Sequence, residues 1–528
     1  MIISSLRHLV LDASAVSALF AHGDRSELSE VLNSAQGTGI RVWFYAGEYA
    51  DLAHWSNVNE QSSASSEGVS ALSPLQKLEH ALPGVQWLSA LAGDLQDNDD
   101  PDPIACALIR AAARLEGQAW VVTADKSRVQ RGAPFVTVEN LAIPEPGSKV
   151  SFIDLETQQD RIRAELEEGI HRVLHHGCYV MGEEISRLEA QLAEMSGAAH
   201  CICVSSGTDA LLAALMAIEI KPGDEVITSP FTFFATAETI ALLGGVPIYV
   251  DIDPETFNLD PGKIEVAISP RTRAIMPVSL YGQCAEMDEI NTIARRHALP
   301  VIEDAAQSFG ASFHGHRSCA LSDLACTSFF PAKPLGAYGD GGACFTQDAS
   351  LADRLRQIRD HGQESRYHHT VLGINGRMDT IQAAVLTAKL KIFPDEIVAR
   401  QGVADRYAEL LAGLADEGSI TLPVVRSHNS SAWAQYTIRV ADRDEIRQRL
   451  AEQGIPSAVH YPVPLYDQPA LAQSGQNCPE SDRAAREVLS LPMHPYLDDA
   501  AQVRVAQALH EALASTADKL SQRDVAGV

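Results

Sequence analysis

The stretch SFFPAKPLG (328–336) holds a lysine between two prolines, behind two phenylalanines and a serine, and the Gly-rich run GAYGDGG follows at 336–342. A surface lysine is flexible and hydrated. Lys333, bracketed by Pro331 and Pro334 and preceded by Phe329 and Phe330, is set up instead for partial desolvation. Desolvation lowers an amine's pKa and makes it a nucleophile toward carbonyls, as a Schiff-base lysine requires. A lone loop lysine is in most cases only a solvated charge, so Lys333 gains meaning from its company.

Three other stretches supply that company. VSSGTDALLAAL (204–215) reads as a strand, a turn and a helix, and leaves the N–H groups of Gly207 and Thr208 at a helix N-terminus, where a phosphate binds. The alternative is that Ser206 or Thr208 merely caps the helix. In LPVIEDAAQSFGA (299–311), Glu303 and Asp304 end a very apolar strand. A carboxylate there needs a cationic partner, such as a protonated ring nitrogen, unless it only caps the next helix. ITSPFTFFATAE (227–238) sets Phe233 after a strand, placed to stack on a flat ring or to join the core. Ser328, five residues before Lys333, can offer its hydroxyl to the same phosphate. A phosphate cradle, a stacking aromatic, a buried carboxylate and an activated amine together describe one ligand, pyridoxal phosphate (PLP).

Elements must bring these residues together, and open parallel sheets collect their sites at the carboxyl ends of strands. Apolar runs alternate with helical stretches after residue 150: CICVSS, EVITSP, PIYVDID, AIMPVSLYG and ALPVIEDAA suit parallel strands buried on both faces. The expected fold class is therefore α/β, with a large, mostly parallel sheet domain at 151–400 and a smaller α+β domain at 401–528, where QYTIRV (435–440) reads as a strand. IPEPGSKV (143–150) has linker chemistry, so a linker is placed at 144–150 and a separate α/β domain at 1–143, whose β-rich runs are HLVLD, VWFY and AWVVTAD.

Composition narrows the function classes. The chain has 528 residues, 46% of them hydrophobic, and a net charge of −28, which disfavours broad nucleic-acid binding. Nine cysteines without a CxxC spacing read as reduced thiols of a cytoplasmic protein. Arg7, His8 and Asp12 interrupt the apolar N-terminus, and no apolar run reaches the ~20 residues of a membrane span. No membrane partner is expected.

The strings SSGTDAL, PGDEVITSPFTFFATAE, PIYVDIDP, PVSLYGQ, VIEDAAQSFGA, TSFFPAKPLGAYGDGG, RDHGQESRYHH, NGRMDTIQAA, HYPVPL and LPMHPYL carry a closer likeness. On them, residues 151 to about 512 resemble the sugar-nucleotide aminotransferases of the DegT/StrS type, which have the aspartate-aminotransferase-like (type I) PLP fold. SLYGQ, ACTSFFPAKPLG and HGQESRYHH look most like the enzymes that aminate UDP-2-acetamido-2-deoxy-3-oxo-glucuronate for bacterial surface polysaccharide such as O-antigen, rather than relatives that aminate a 4-keto sugar. The resemblance implies a homodimer with shared active sites, glutamate as amino donor and a UDP-sugar acceptor. It implies that Lys333 joins PLP covalently and moves the proton, that Asp304 pairs with the ring nitrogen, that Gln307 lies near the ring hydroxyl and that Phe233 stacks on the ring. Gly207, Thr208 and Ser328 would hold the phosphate, with Asn375 from the other subunit. Arg377 is the candidate for a substrate carboxylate, and His460 and Tyr461 would face the nucleotide-sugar.

The first 143 residues stand outside that likeness. LVLDAS, Glu48, DPDPIACALIRAA and VVTADKSRV resemble a PIN-type domain, which implies a quartet of Asp12, Glu48, Asp102 and Asp125 for Mg or Mn. The alternative is helix caps and a solvated acidic loop. A rival function follows, a metal-dependent ribonuclease with the aminotransferase-like half as scaffold, and this segment is the one place where nucleic acid enters as a partner.

Overall fold

A computed structural model of the chain describes residues 150–526 apart from Ser474, together with five strands of the N-terminal segment. Two compact units divide the chain: Met1–Ser148 with Asp498–Val503, and Lys149–Leu497 with Arg504–Val528. In the first, β1 (Leu6–Leu11), β2 (Arg41–Tyr45), β3 (Gln86–Leu88), β4 (Gln118–Thr123) and β5 (Phe135–Thr137) form one sheet in the order β3-β2-β1-β4-β5. Every pairing is parallel, with Val10 opposite both Trp43 and Val121. Three of the strands are the β-rich runs expected from sequence.

The second unit opens on α1 (Leu155–His176), capped by the Asp154 side chain and ended by Gly177 at φ 70°, and α2 (Glu183–Ser196). Its main sheet comprises β6 (His200–Val204), β7 (Glu225–Thr228), β8 (Val246–Tyr249), β9 (Thr272–Met276), β10 (Ile302–Asp304), β11 (Leu324–Ser328) and β12 (Gly342–Thr346). Two ladders, β8-β7-β9 and β10-β11-β12-β6, are joined by parallel bridges from Ile275 to Val301 and from Val278 to Asp304. β12 runs antiparallel to both its neighbours; the other strands share one direction. Their carboxyl ends therefore lie along one edge.

Period-two alternation explains why these strands are apolar throughout. Ile202, Val204, Leu324, Cys326 and Cys344 pack on one face against α3 (Gly207–Ala217) and α6 (Ala349–Arg359). Cys201, Cys203, Ala325, Ala343 and Phe345 pack on the other against α2 and α7 (Thr380–Leu390). Between these helices in sequence lie α4 (Ala235–Leu242) and α5 (Met287–Arg296). α8 (Phe393–Asp416) runs through residue 400, so the division placed there from sequence falls inside a helix. Beyond it, β13 (Ile420–Thr421), β14 (Tyr436–Val440) and β15 (Val488–Leu491) form a small antiparallel sheet, of which only β14 was named from the sequence patterns. Among the described residues no helix is long and apolar enough to cross a membrane, and the eight described cysteines are free thiols.

One buried charge stands out in the layer of α1 and α7. Lys389 is 0% exposed and its Nζ has no hydrogen-bond partner; it lies 4.3 Å from the centroid of the Tyr338 ring. Burial pushes its amine down to about 8, against a weaker upward pull from Glu396. The folded chain binds this proton less tightly than the unfolded chain, so stability rises with pH from about 8 to the ordinary lysine value of 10.5. Lys389→Met should therefore raise the unfolding midpoint at pH 7 by the equivalent of roughly 1–3 kcal/mol, less whatever the contact with Tyr338 contributes. The gain should shrink toward zero near pH 10. Thermal melts of both proteins at the two pH values measure it, and parallel pH profiles would refute the assignment.

Candidate active site

The chain leaves β11 at the shared carboxyl edge and re-enters through antiparallel β12, so the intervening loop, residues 329–341, lies across that edge. Hydrogen bonds from Phe329 N–H to Gly341 O (2.8 Å), Ala337 N–H to Phe329 O (2.7 Å) and Lys333 N–H to Phe330 O (2.9 Å) hold it. A Cβ on Gly336 would lie 2.5 Å from the Pro331 carbonyl oxygen, so the loop closes on itself only with glycine there. Phe329 is fully buried, whereas Phe330 is 52% exposed. Lys333 is half-buried, its amine pushed below the ordinary lysine range by burial and drawn back by the charge of Asp304.

Asp304 ends the neighbouring strand β10 and is 4% exposed. Its Oδ2 accepts from Thr236 Oγ1 (2.8 Å) and its Oδ1 from the Ala306 N–H (3.2 Å). Burial raises its pKa; those two donors and the charge of Lys333 oppose the rise. Adjacent Glu303 points to the opposite face and is satisfied there by Ser279 Oγ, Ser318 Oγ and the Cys319 N–H, each at 2.9 Å. The two carboxylates that look alike in sequence thus separate into one that serves the interior and one that faces Lys333.

The start of α3 lies beside Ser328. Ser206 caps α3, accepting from the Asp209 N–H at 3.0 Å, and the amides of Gly207 and Thr208 have no intrahelical acceptor. Capping and an open helix end therefore coexist. A Cβ on Gly207 would stand 2.6 Å from Ser328 Cβ, so the glycine lets the serine sit beside the helix start. A Cβ on Gly342 would meet the Gly207 nitrogen at 2.7 Å, so the second glycine serves backbone packing.

A C-terminal segment supplies the aromatic side. The rings of Phe233, 57% exposed, and Tyr461 lie 6.2 Å apart. Gln307 accepts from the Tyr281 N–H (2.7 Å) and donates to the Tyr461 hydroxyl (3.1 Å), which fixes its amide orientation. Burial, with the charge of Asp304, holds the Tyr461 phenol above its ordinary range. Tyr281 also donates through its hydroxyl to the His460 carbonyl. His460 Nδ1 lies 3.0 Å from Ser490 Oγ, and burial with repulsion from Lys333 pushes the ring down to about 4, so it is neutral at pH 7.

Lys333, Asp304, Gln307, Phe233, His460 and Tyr461 thus converge, with Gly207, Thr208 and Ser328 at an adjoining strand end. Asn375 and Arg377 sit on the loop before α7, whose Gly376 carbonyl accepts from the Ser205 N–H at 2.9 Å. Asn375 is exposed, and Arg377 forms an ion pair with Asp360. Asp12, Glu48, Asp102 and Asp125 lie outside the described residues, among which no group of three or more His, Cys, Asp or Glu is placed to hold a metal ion. Sequence reading passed over Thr236 and Tyr281. Thr236 stands three residues after Phe233, within one helical turn, which was the available signal; Tyr281 was quoted only as part of SLYGQ.

Comparison with known proteins agrees with this architecture. Residues 160–510 match the model of the DegT/DnrJ/EryC1/StrS aminotransferase family. The chain is 55% identical over 360 residues, 68% of its length and 99% of the relative's, to UDP-2-acetamido-2-deoxy-3-oxo-D-glucuronate aminotransferase of Pseudomonas aeruginosa. It is 41% identical over 376 residues, 71% of its length and 99% of the relative's, to the UDP-N-acetyl-3-dehydro-alpha-D-glucosamine 3-aminotransferase of Acidithiobacillus ferrooxidans. A crystal structure of NtdA from Bacillus subtilis with bound cofactor PMP superposes with a TM-score of 0.66 at 32% identity, covering 74% of this chain and 95% of that one. From residue 160 to residue 510, this chain belongs to the DegT/DnrJ/EryC1/StrS aminotransferase family.

Proposed function

We propose that the chain is a PLP-dependent aminotransferase that moves an amino group from glutamate to a UDP-linked 3-keto-uronic acid sugar in bacterial surface-polysaccharide biosynthesis. The observation that carries this reading is the pairing of a desolvated amine, Lys333, with a buried carboxylate, Asp304, beside an open helix start. The residues fit the cofactor: a buried carboxylate suits a pyridinium, and the Gly207–Ser328 approach leaves a cradle that a Cβ would fill. The uronic acid is favoured by the 55% identity to the Pseudomonas enzyme.

PLP supplies a cationic ring that withdraws electrons and a carbonyl carbon that takes up and returns the amino group. Asp304 would hold the proton on the ring nitrogen, and Phe233 would cover the ring face. Gly207, Thr208 and Ser328 would bind the phosphate with the dipole of α3. Lys333, its basicity lowered by burial, would take the proton from the donor's α-carbon and return it on the acceptor side. Neutral His460 and the Tyr461 phenol would border the sugar. Arg377 offers a guanidinium fork to a substrate carboxylate, which would share it with Asp360. Asn375 reaches a neighbouring site if two copies pair, which is the assembly we propose. For the N-terminal unit we read a PIN-like module, supported by its all-parallel strand order and by acidic residues following β1, β2 and β4 in sequence.

Purified protein incubated with glutamate should form 2-oxoglutarate when given a UDP-3-keto-uronic acid, and roughly a hundredfold more slowly with a 4-keto nucleotide sugar. The opposite preference would discard the acceptor but leave the chemistry. Lys333→Ala should stay folded and bind PLP that borohydride no longer fixes to the chain, and its turnover should fall about 10³-fold or more; borohydride treatment of the wild type should fix the cofactor to Lys333, and undiminished turnover of the variant would defeat the proposal. Removing residues 1–148 should leave kcat/KM for the sugar largely unaltered; a truncated chain that still binds PLP but has lost turnover would give the first unit a part in the reaction.

A further inference from the structure

Asp304 receives one hydrogen bond from its own turn, the Ala306 N–H, and one from a side chain elsewhere in the sequence, Thr236 Oγ1 at 2.8 Å. Thr236 is 0% exposed and lies in the first turn of α4. A buried threonine in a helix ordinarily satisfies its hydroxyl on the carbonyl four residues back, as Thr239 does with Ala235 O at 3.0 Å. Thr236 instead reaches a strand 68 residues away. Behind it, Thr232 Oγ1 lies 3.2 Å from Thr236 Oγ1 and is itself buried. A hydroxyl has one proton. If Thr236 gives its proton to Asp304, Thr232 must donate to Thr236, and the two hydroxyls form a one-way chain ending on the carboxylate.

We propose that Thr236, backed by Thr232, is a positioning residue that keeps Asp304 ionised and aimed at the ring nitrogen of the cofactor. The proposal rests on the PLP reading above. Burial by itself favours the neutral acid, which is a poor counterion for a pyridinium. A donated hydrogen bond favours the carboxylate, and a second hydroxyl feeding the first strengthens it. The same short segment, 232–236, also carries Phe233, so it governs the face of the ring through one side chain and the edge through another. β-Branching limits Thr236 to few rotamers, which suits a fixed donor.

The test uses full-length protein reconstituted with PLP labelled with 15N at the pyridine nitrogen. Thr236→Val keeps the shape and removes the proton donor; PLP should bind about tenfold or more weakly, and the nitrogen resonance should move toward the unprotonated value. Thr236→Ser should restore both. Should Thr236→Val fail to fold, Thr232→Val carries the test, with a smaller displacement of the resonance in the same direction. Wild-type affinity and resonance in the folded valine variant, a serine variant as impaired as valine, or no displacement in Thr232→Val where it stands in, would each overturn the proposal. A wild-type chain that takes up no PLP would overturn the functional reading and this inference together; one that does, beside an unchanged Thr236→Val, would remove the inference alone.

Discussion

Two opposite charges drawn away from water, the amine of half-buried Lys333 and the carboxylate of buried Asp304, are what the main unit has to support. Burial disfavours the charged form of each, and each is the other's partial remedy. The sheet meets this demand by direction. β10 and β11 run in parallel, so their ends coincide, and the return through an antiparallel strand lays the lysine loop across that edge. Reversing β12 is thus part of the site, since a helical crossover to another parallel strand would carry the chain away from Asp304.

Alternation along the strands then separates the two neighbouring carboxylates of β10 by their partners. Glu303 and Asp304 are neighbours in sequence, yet the pleat sends them to opposite faces. Three donors enclose Glu303, and no cationic partner appears among its hydrogen bonds. The glycines divide in a comparable way. Gly207 opens the helix start beside Ser328, while Gly336 and Gly342 answer to nearby backbone and would be needed whatever ligand was bound.

The far side of the site comes from a segment more than a hundred residues later in the chain. The Tyr281 hydroxyl donates to the His460 carbonyl and the Gln307 amide to the Tyr461 hydroxyl, while the Tyr281 N–H donates to Gln307 and ties the two supports together. Neutral His460 adds no second positive charge beside the amine, which preserves the electrostatic relation of Lys333 to Asp304. Arg377 is committed differently, since Asp360 already occupies part of its fork.

Much of this was legible in the residues themselves. Apolar runs bounded by turn residues marked β6 to β10, because parallel strands covered on both faces leave a continuous hydrophobic signature; the Ser-Ser-Gly-Thr turn and the proline-bracketed lysine marked two ends of the site, because cap and loop chemistry is local. β11 and β12 were not marked, since LACTS and GACFT are short and mix small Ala, Cys and Gly, which carry little strand signal, with only a few β-formers. Tertiary structure alone decided which of Glu303 and Asp304 faces the lysine, that Thr236 donates to Asp304 and that Arg377 meets Asp360. Each of these is a contact between residues distant in the chain or a choice of face, and a one-residue change of register would reverse it.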